Sequence, residues 1–258
     1  MMIPIQAVCF DIQAVYFDAV GTLLVPDPPA EEVYVAVGRA HGIPAERTEV
    51  RQRLCSAFAE QEEQDRQRHW QVDAAREEQR WRAIVQHCLP TADPQQAEIV
   101  FRQLFDHFAR PHAWRLDPEA PTVLAELHQR GLKCGIASNY DARLRSVIAG
   151  FPELARLHER LVISAEVGYR KPAAAFFQAL ARQAGCPPSR ILYVGDDPVL
   201  DVQAARAAGV QALWYQPRQR SAAAPPLSRT LQSPAEEIPV PQELTIQHLS
   251  QILPLVRL

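Results

Sequence analysis

Three apolar runs of this chain each end in residues able to do chemistry. Asp18 follows Ala14-Val15-Tyr16-Phe17, Ser138 and Asn139 follow the run ending at Ala137, and Gly195-Asp196-Asp197 follow Ile191–Val194. Short β-branched and aromatic runs read as buried strands. A carboxylate just past such a strand sits at the edge where open α/β sheets bind ligands. Asp18 is therefore the candidate nucleophile. Lys171 enters in the loop before Pro172, and it is one of only two lysines, the other being Lys133. Together these residues supply a nucleophilic carboxylate, a hydroxyl donor, a cation and further carboxylates. Asp18 with Asp196 and Asp197 would hold a hard divalent cation, and Mg²⁺ takes such oxygen ligands. The metal, Lys171 and Ser138 would offset the charge of an incoming phosphate. That combination is suited to phosphoryl transfer through an aspartyl phosphate, on a small phosphorylated substrate.

Each residue also has a purely structural reading. Asp18 before Gly-Thr could be a turn residue. Ser138-Asn139 could equally be a strand-to-helix cap, with Asp141 the better N-cap. Asn139 is as well read structurally as functionally. Asp197 and Asp201 could be acids complementing a helix N-terminus. The ordered recurrence of polar strand ends favours function for Asp18, Ser138 and Lys171. Lys133, at a strand start, reads as solvated. Trp70, Trp81 and Trp114 read as core or interface residues, and His107 and His112 lack zinc-ligand spacing with any cysteine.

The elements that must position these groups fall into two patterns. From about Ala30 to Ala109 the chain reads as four helices, Ala30–His41, Ala45–Trp70, Ala74–Leu89 and Asp93–Ala109, with apolar residues at helical spacing and stops at Gly42, Pro90 and Pro111. On either side, strands alternate with helices, which implies βαβ units and a parallel sheet. The expected fold is therefore α/β, a Rossmann-like doubly wound parallel sheet with an inserted all-helical cap. Residues 1–26 and 117–258 would form the core and residues 27–116 the cap. Gln13–Asp18 nearly repeats Gln6–Asp11, and only the second copy precedes a Gly-Thr turn. Asp11 then belongs to a decoy copy or an extra N-terminal strand. Residues 216–243, rich in Pro, Ser, Ala and Gln, read as a surface loop, and residues 245–258 as a short closing helix or turn.

With these motifs in order, the chain resembles the haloacid dehalogenase-like (HAD) hydrolase superfamily, in the subgroup whose helical cap follows the first core strand. The resemblance rests on FDAVGTL (Phe17 to Leu23), ASN (Ala137 to Asn139), Lys171 in YRKP, and VGDDPVLD (Val194 to Asp201). It implies that Asp18 is nucleophile and Mg²⁺ ligand, with the backbone carbonyl of Val20 and the side chain of Asp196 as further ligands. Asp197 or Asp201 would act through water or orient Lys171. Ser138 and Lys171, with Asn139, Gly21 and Thr22, would hold the phosphate. One position departs from the pattern: the family's phosphatases carry at position 20 a second Asp that protonates the leaving group, a contribution typically worth ~10²–10⁴-fold. Val20 cannot do this. A metal-free dehalogenase is disfavoured by the intact acidic cluster, and a phosphonate hydrolase by the lack of any lysine between Asp27 and Leu116. The alternative to a phosphatase is a weakly active or non-catalytic binding protein.

Bulk properties narrow the classes. A net charge of -3 gives no electrostatic footprint for nucleic acid. The five cysteines are odd in number and scattered, which points to reduced thiols. No apolar run is long enough for a transmembrane span, and the first residues lack a basic leader pattern. A cytoplasmic protein without membrane partners is expected. Nothing in the sequence sets an oligomeric state.

Overall fold

The computed structural model describes residues 10–217 and 244–257. In chain order the strands and helices are β1 (Phe10–Asp11), β2 (Ala14–Phe17), β3 (Leu24–Pro26), α1 (Ala30–Ala40), α2 (Arg47–Gln67), α3 (Ala74–Cys88), α4 (Pro94–His107), β4 (Trp114–Leu116), α5 (Ala120–Gln129), β5 (Lys133–Ser138), α6 (Arg143–Ala149), β6 (Leu161–Ile163), α7 (Ser164–Val167), α8 (Ala174–Ala184), β7 (Ile191–Gly195), α9 (Ala204–Ala207), β8 (Gln211–Tyr215), β9 (Thr245–Ile246) and β10 (Val256–Arg257).

A six-stranded parallel sheet has the order β6-β5-β2-β7-β8-β9. Successive strands run outward from β2 on one side through β5 and β6, then return to β7 on its other side. The carboxyl end of β2 is therefore the point where strand order reverses, the crevice that ligands use in such sheets. β2 is buried on both faces, which explains its unbroken apolar character. Val15 and Phe17 pack with Val123 and Leu127 of α5 and Val147 and Ile148 of α6. Ala14 and Tyr16 pack with Phe176, Phe177 and Leu180 of α8.

The chain leaves the sheet through β3 and returns through β4, which pair antiparallel with Pro26 opposite Trp114. Between them α1–α4 bury a separate apolar cluster that includes Val37, Leu54, Ile84, Phe101 and Leu104. Asp73 caps α3 by accepting from Arg76 N at 2.7 Å, and Asp93 caps α4 by accepting from Gln95 N, with Pro94 in the first turn.

The two ends of the described chain pair with each other and with the edge of the sheet. Residues 245–257 form no closing α-helix: β9 extends the sheet beside β8, a 3-10 turn follows at Leu249–Ile252, and β10 pairs in parallel with β1. Backbone pairing with two existing edges is available to these residues, and it outweighs a helix only a few turns long. Asp11 lies in the extra strand, its carboxylate 2.7 Å from Nη1 of Arg190. The first part of the near-repeat and most of the 216–243 stretch lie outside the described residues.

Candidate active site

Register brings the three strand ends together. Phe17 pairs with Ile136 of β5 and with Val194 of β7, so Asp18 stands between Ala137 and Gly195, one position short of Ser138 and Asp196. The amide of Asp18 donates to Val194 O at 2.8 Å. The turn after it is fixed by Leu24 N donating to Ala19 O and Gly21 N donating to Leu24 O, bonds that leave out the Val20 carbonyl. Gly21 has φ +91°, and a Cβ there would overlap the Asp196 carboxylate. A glycine is thus required both by conformation and by the close approach of an acid.

Lys171 lies at the centre of the cluster. Its Nζ donates to Asp18 Oδ1 at 2.8 Å, to Asp201 Oδ1 at 2.6 Å and to the Tyr193 hydroxyl at 2.9 Å. All four residues are buried. Asp201 reaches Lys171 from a single π-helical turn, Pro198–Gln203, packed so tightly on Gly195 that a Cβ there would overlap its carboxylate. Its other oxygen accepts from Asp197 N at 2.9 Å. Of the two acids expected to orient the lysine, Asp201 is in contact with it.

Asn139 and Asp197 each spend side-chain atoms on nearby backbone groups, and Thr22 stands apart from the cavity. Asn139 lines the cavity; it accepts from Lys171 N at 2.8 Å and donates to Lys171 O at 3.1 Å, so both ends of its amide clamp the lysine backbone. Thr22 is buried but does not line the cavity over Asp18, and its hydroxyl has no partner among the described residues. Asp197 Oδ1 accepts from Val199 N and Leu200 N, both at 2.8 Å, capping the π turn. The sequence shows a polar side chain but not the backbone group that claims it. Gly21, Ser138, Asn139 and Asp197 line the cavity, as does half-buried Val20.

Asp18, Asp196 and Asp201 each offer a carboxylate oxygen, all within 4.8 Å of one another. Three buried carboxylates against one ammonium leave two negative charges in excess. Burial pushes the Asp18 carboxyl up, Lys171 pulls it down, Asp201 raises it further, and a hydrogen bond from Ser138 favours the ionised form; the net direction is up. Burial disfavours the Lys171 ammonium, but Asp18 and Asp201 more than offset this and hold it well above the ordinary lysine range. Burial, with Asp201 and Asp196 nearby, pushes Asp197 up to about 7. An all-oxygen donor set with surplus negative charge fits a hard divalent cation.

A family profile described as haloacid dehalogenase-like hydrolase matches residues 12–209. The chain belongs to the haloacid dehalogenase-like hydrolase family. The HAD-like match extends to haloacid dehalogenase-like hydrolase domain-containing protein 3 of Mus musculus, 28% identical over 242 residues, covering 92% of this chain and 91% of that protein. A phosphoserine phosphatase of Thermus thermophilus is 36% identical over 114 residues, 44% of this chain and 46% of that enzyme. In fold, the L-2-haloacid dehalogenase of Xanthobacter autotrophicus superposes with a TM-score of 0.66 at 20% identity, over 94% of this chain and 97% of that one.

Two residues of this HAD-like site carry no signal in the sequence. Tyr193 lies inside the apolar run Ile191–Gly195 and reads as core, yet its hydroxyl accepts from Lys171 and donates to Ala137 O at 2.6 Å. Arg170, next to Lys171, reaches into the helical block. Its Nη1 lies 2.9 Å from Asp65 Oδ2 of α2 and 3.1 Å from Glu77 Oε1 of α3. Backbone bonds accompany it, Val72 N to Gly168 O and Arg170 N to Trp70 O, both at 3.0 Å.

Proposed function

We propose that this HAD-like hydrolase is a Mg²⁺-dependent phosphatase acting on a small phosphorylated metabolite through an aspartyl phosphate on Asp18. The observation that carries this reading is the buried contact of Lys171 with Asp18 and Asp201, in a group of three carboxylates completed by Asp196. A metal-free dehalogenase has no need for this acidic group. The partial match to a phosphoserine phosphatase points the same way.

In this mechanism Asp18 attacks phosphorus, forming the O–P bond as the bond to the leaving oxygen breaks. Lys171 and Ser138 hold the phosphate oxygens, with Asp201 and Tyr193 fixing the ammonium and Asn139 fixing the lysine backbone. Mg²⁺, held by Asp18, Asp196 and the Val20 carbonyl, would supply neutralisation of the phosphate charge. Water then attacks phosphorus, releasing inorganic phosphate and restoring the Asp18 carboxylate. The helical block, residues 27–116, acts as the cap that excludes bulk water from this exchange. Position 20 supplies no acid, so substrates whose leaving group departs as a stable anion are favoured over ordinary alkyl esters.

The test is phosphate release from acetyl phosphate with and without Mg²⁺, for the wild-type protein and Asp18→Asn. Metal-dependent release lost in the variant is expected, and release unaffected by the substitution overturns the assignment.

A further inference from the structure

We infer that the leaving group of the substrate is an uncharged aromatic alcohol of the phenol type. This deepens the phosphatase reading above and rests on it. The cavity that begins at Asp18, Ser138 and Lys171 has a volume of about 470 Å³, in the range of small-molecule sites. It continues into the helical block, where Tyr34, Phe58, Trp81, Phe105, Phe108 and Trp114 form its walls. Phe58 meets Trp81 edge-on with centroids 5.8 Å apart, and Phe108 meets Trp114 at 5.9 Å. Aromatic walls of this kind suit a ring that can stack or meet them edge-on.

The arginines along the cavity each lie near a carboxylate, although the buried Nε atoms of Arg80 and Arg170 make no hydrogen bond among the described residues. Arg143 donates from Nε and Nη2 to Asp141 and from Nη1 to Phe105 O. Its guanidinium carbon lies over the Phe105 ring, 3.5 Å from the centroid, with Nε, Nη1 and Nη2 all donating within the protein. Arg80 and Arg170 face Asp65, Glu62 and Glu77. Arg47 and Arg51 face Glu31. A second charge on the leaving group would meet only cations that already face carboxylates, so burying it in this largely apolar space is costly.

Val20 supplies the third constraint. With no acid at that position, the ester oxygen must leave as an anion, which a phenoxide does far more readily than an alkoxide. In the step, an Asp18 oxygen bonds to phosphorus, the P–O(aryl) bond breaks, and its electron pair leaves on the aryloxide, which takes a proton from solvent. Water hydrolyses the aspartyl phosphate to inorganic phosphate, returning the Asp18 carboxylate and releasing a proton. The leaving-group preference and the aromatic walls thus select the same chemical class.

The experiment compares kcat/KM of the full chain with Mg²⁺ for phenyl phosphate, 4-carboxyphenyl phosphate, glycerol phosphate and acetyl phosphate. Phenyl phosphate is expected to exceed its carboxylated analogue by at least about tenfold, because only the latter buries an unpaired charge. Equal or reversed preference overturns the inference. Acetyl phosphate separates the two levels: its hydrolysis without any preference for the neutral ring leaves the phosphatase reading standing and removes this one. No phosphate from any of the four removes both. Binding of non-hydrolysable phosphonates tests the cavity directly, with benzylphosphonate expected to bind at least about tenfold more tightly than methylphosphonate; equal affinity overturns the inference. Phe58→Lys, at a half-buried wall position, is expected to shift the ratio toward the carboxylated ester, and an unchanged ratio contradicts a charge-compensated cavity.

Discussion

Arg170 and Asp65 lie 105 residues apart in sequence and 2.9 Å apart in space, joining the loop that carries Lys171 to helix α2 of the helical block. Both are buried, and Asp65 also receives two bonds from Arg76. Removing one member of a buried pair strands the other, at a cost of about 3–5 kcal/mol. Arg170→Ala is therefore expected to lower the unfolding free energy by that order in urea titrations. A double-mutant cycle with Asp65→Asn should show coupling, whereas additive losses would mean that the contact contributes little.

The second prediction concerns the approach of Asp201 to Lys171. Gly195→Ala places a methyl group where the Asp201 carboxylate lies. Displacing a positioning group by about 1 Å can cost ~10²-fold in rate. Phosphate release by the variant should fall by that order while far-UV circular dichroism stays native. A rate near wild type would show that the lysine does not depend on Asp201.

How far these relationships were legible in advance varies by residue. Asp18, Ser138, Lys171 and Asp196 could be picked out because each follows an apolar run or stands as a rare lysine, and a parallel sheet aligns strand ends. The backbone partners of Asn139 and Asp197, at Lys171, Val199 and Leu200, are not legible because no residue-type pattern reveals them. Tyr193 was hidden by its apolar neighbours. The ribbon of β3 and β4 escaped because three residues ending in Pro26 carry no alternation, and their pairing is set by the return of the chain at Trp114. In the closing segment the turn is legible, but its pairing with β1 and β8 is a long-range choice that local sequence does not carry. The four helices of residues 30–107 were readable, since local periodicity determines them.

Alkaline stability tests the burial of two thiols. Burial pushes both Cys88 and Cys134 up to about 12. In the unfolded chain a thiol ionises near its ordinary value of about 8.5. Below that pH both states are protonated and the contribution to stability is fully present. Between about 8.5 and 12 only the unfolded thiol ionises, so stability falls, by roughly 5 kcal/mol per thiol across the whole range. Urea unfolding at pH 8 to 11 should show a shallower decline for a Cys88→Ala/Cys134→Ala double variant than for wild type. Parallel declines would contradict the burial of these groups.

Position 20 offers a gain-of-function test. Val20 lines the cavity beside Asp18 and is only half-buried, so an acid can be accommodated. Val20→Asp should raise the turnover of an alkyl ester such as glycerol phosphate by about 10²-fold or more, the usual contribution of general acid–base help. Rapid wild-type turnover of the same ester, or no gain in the variant, would mean that another group already supplies the proton.

The central claim is that Asp18 is phosphorylated during turnover. Protein quenched while hydrolysing acetyl phosphate with Mg²⁺, then treated with borohydride, should yield a peptide in which Asp18 has been reduced to homoserine, as an acyl phosphate would be. Phosphate release with Asp18 unmodified under the same quench would contradict the account.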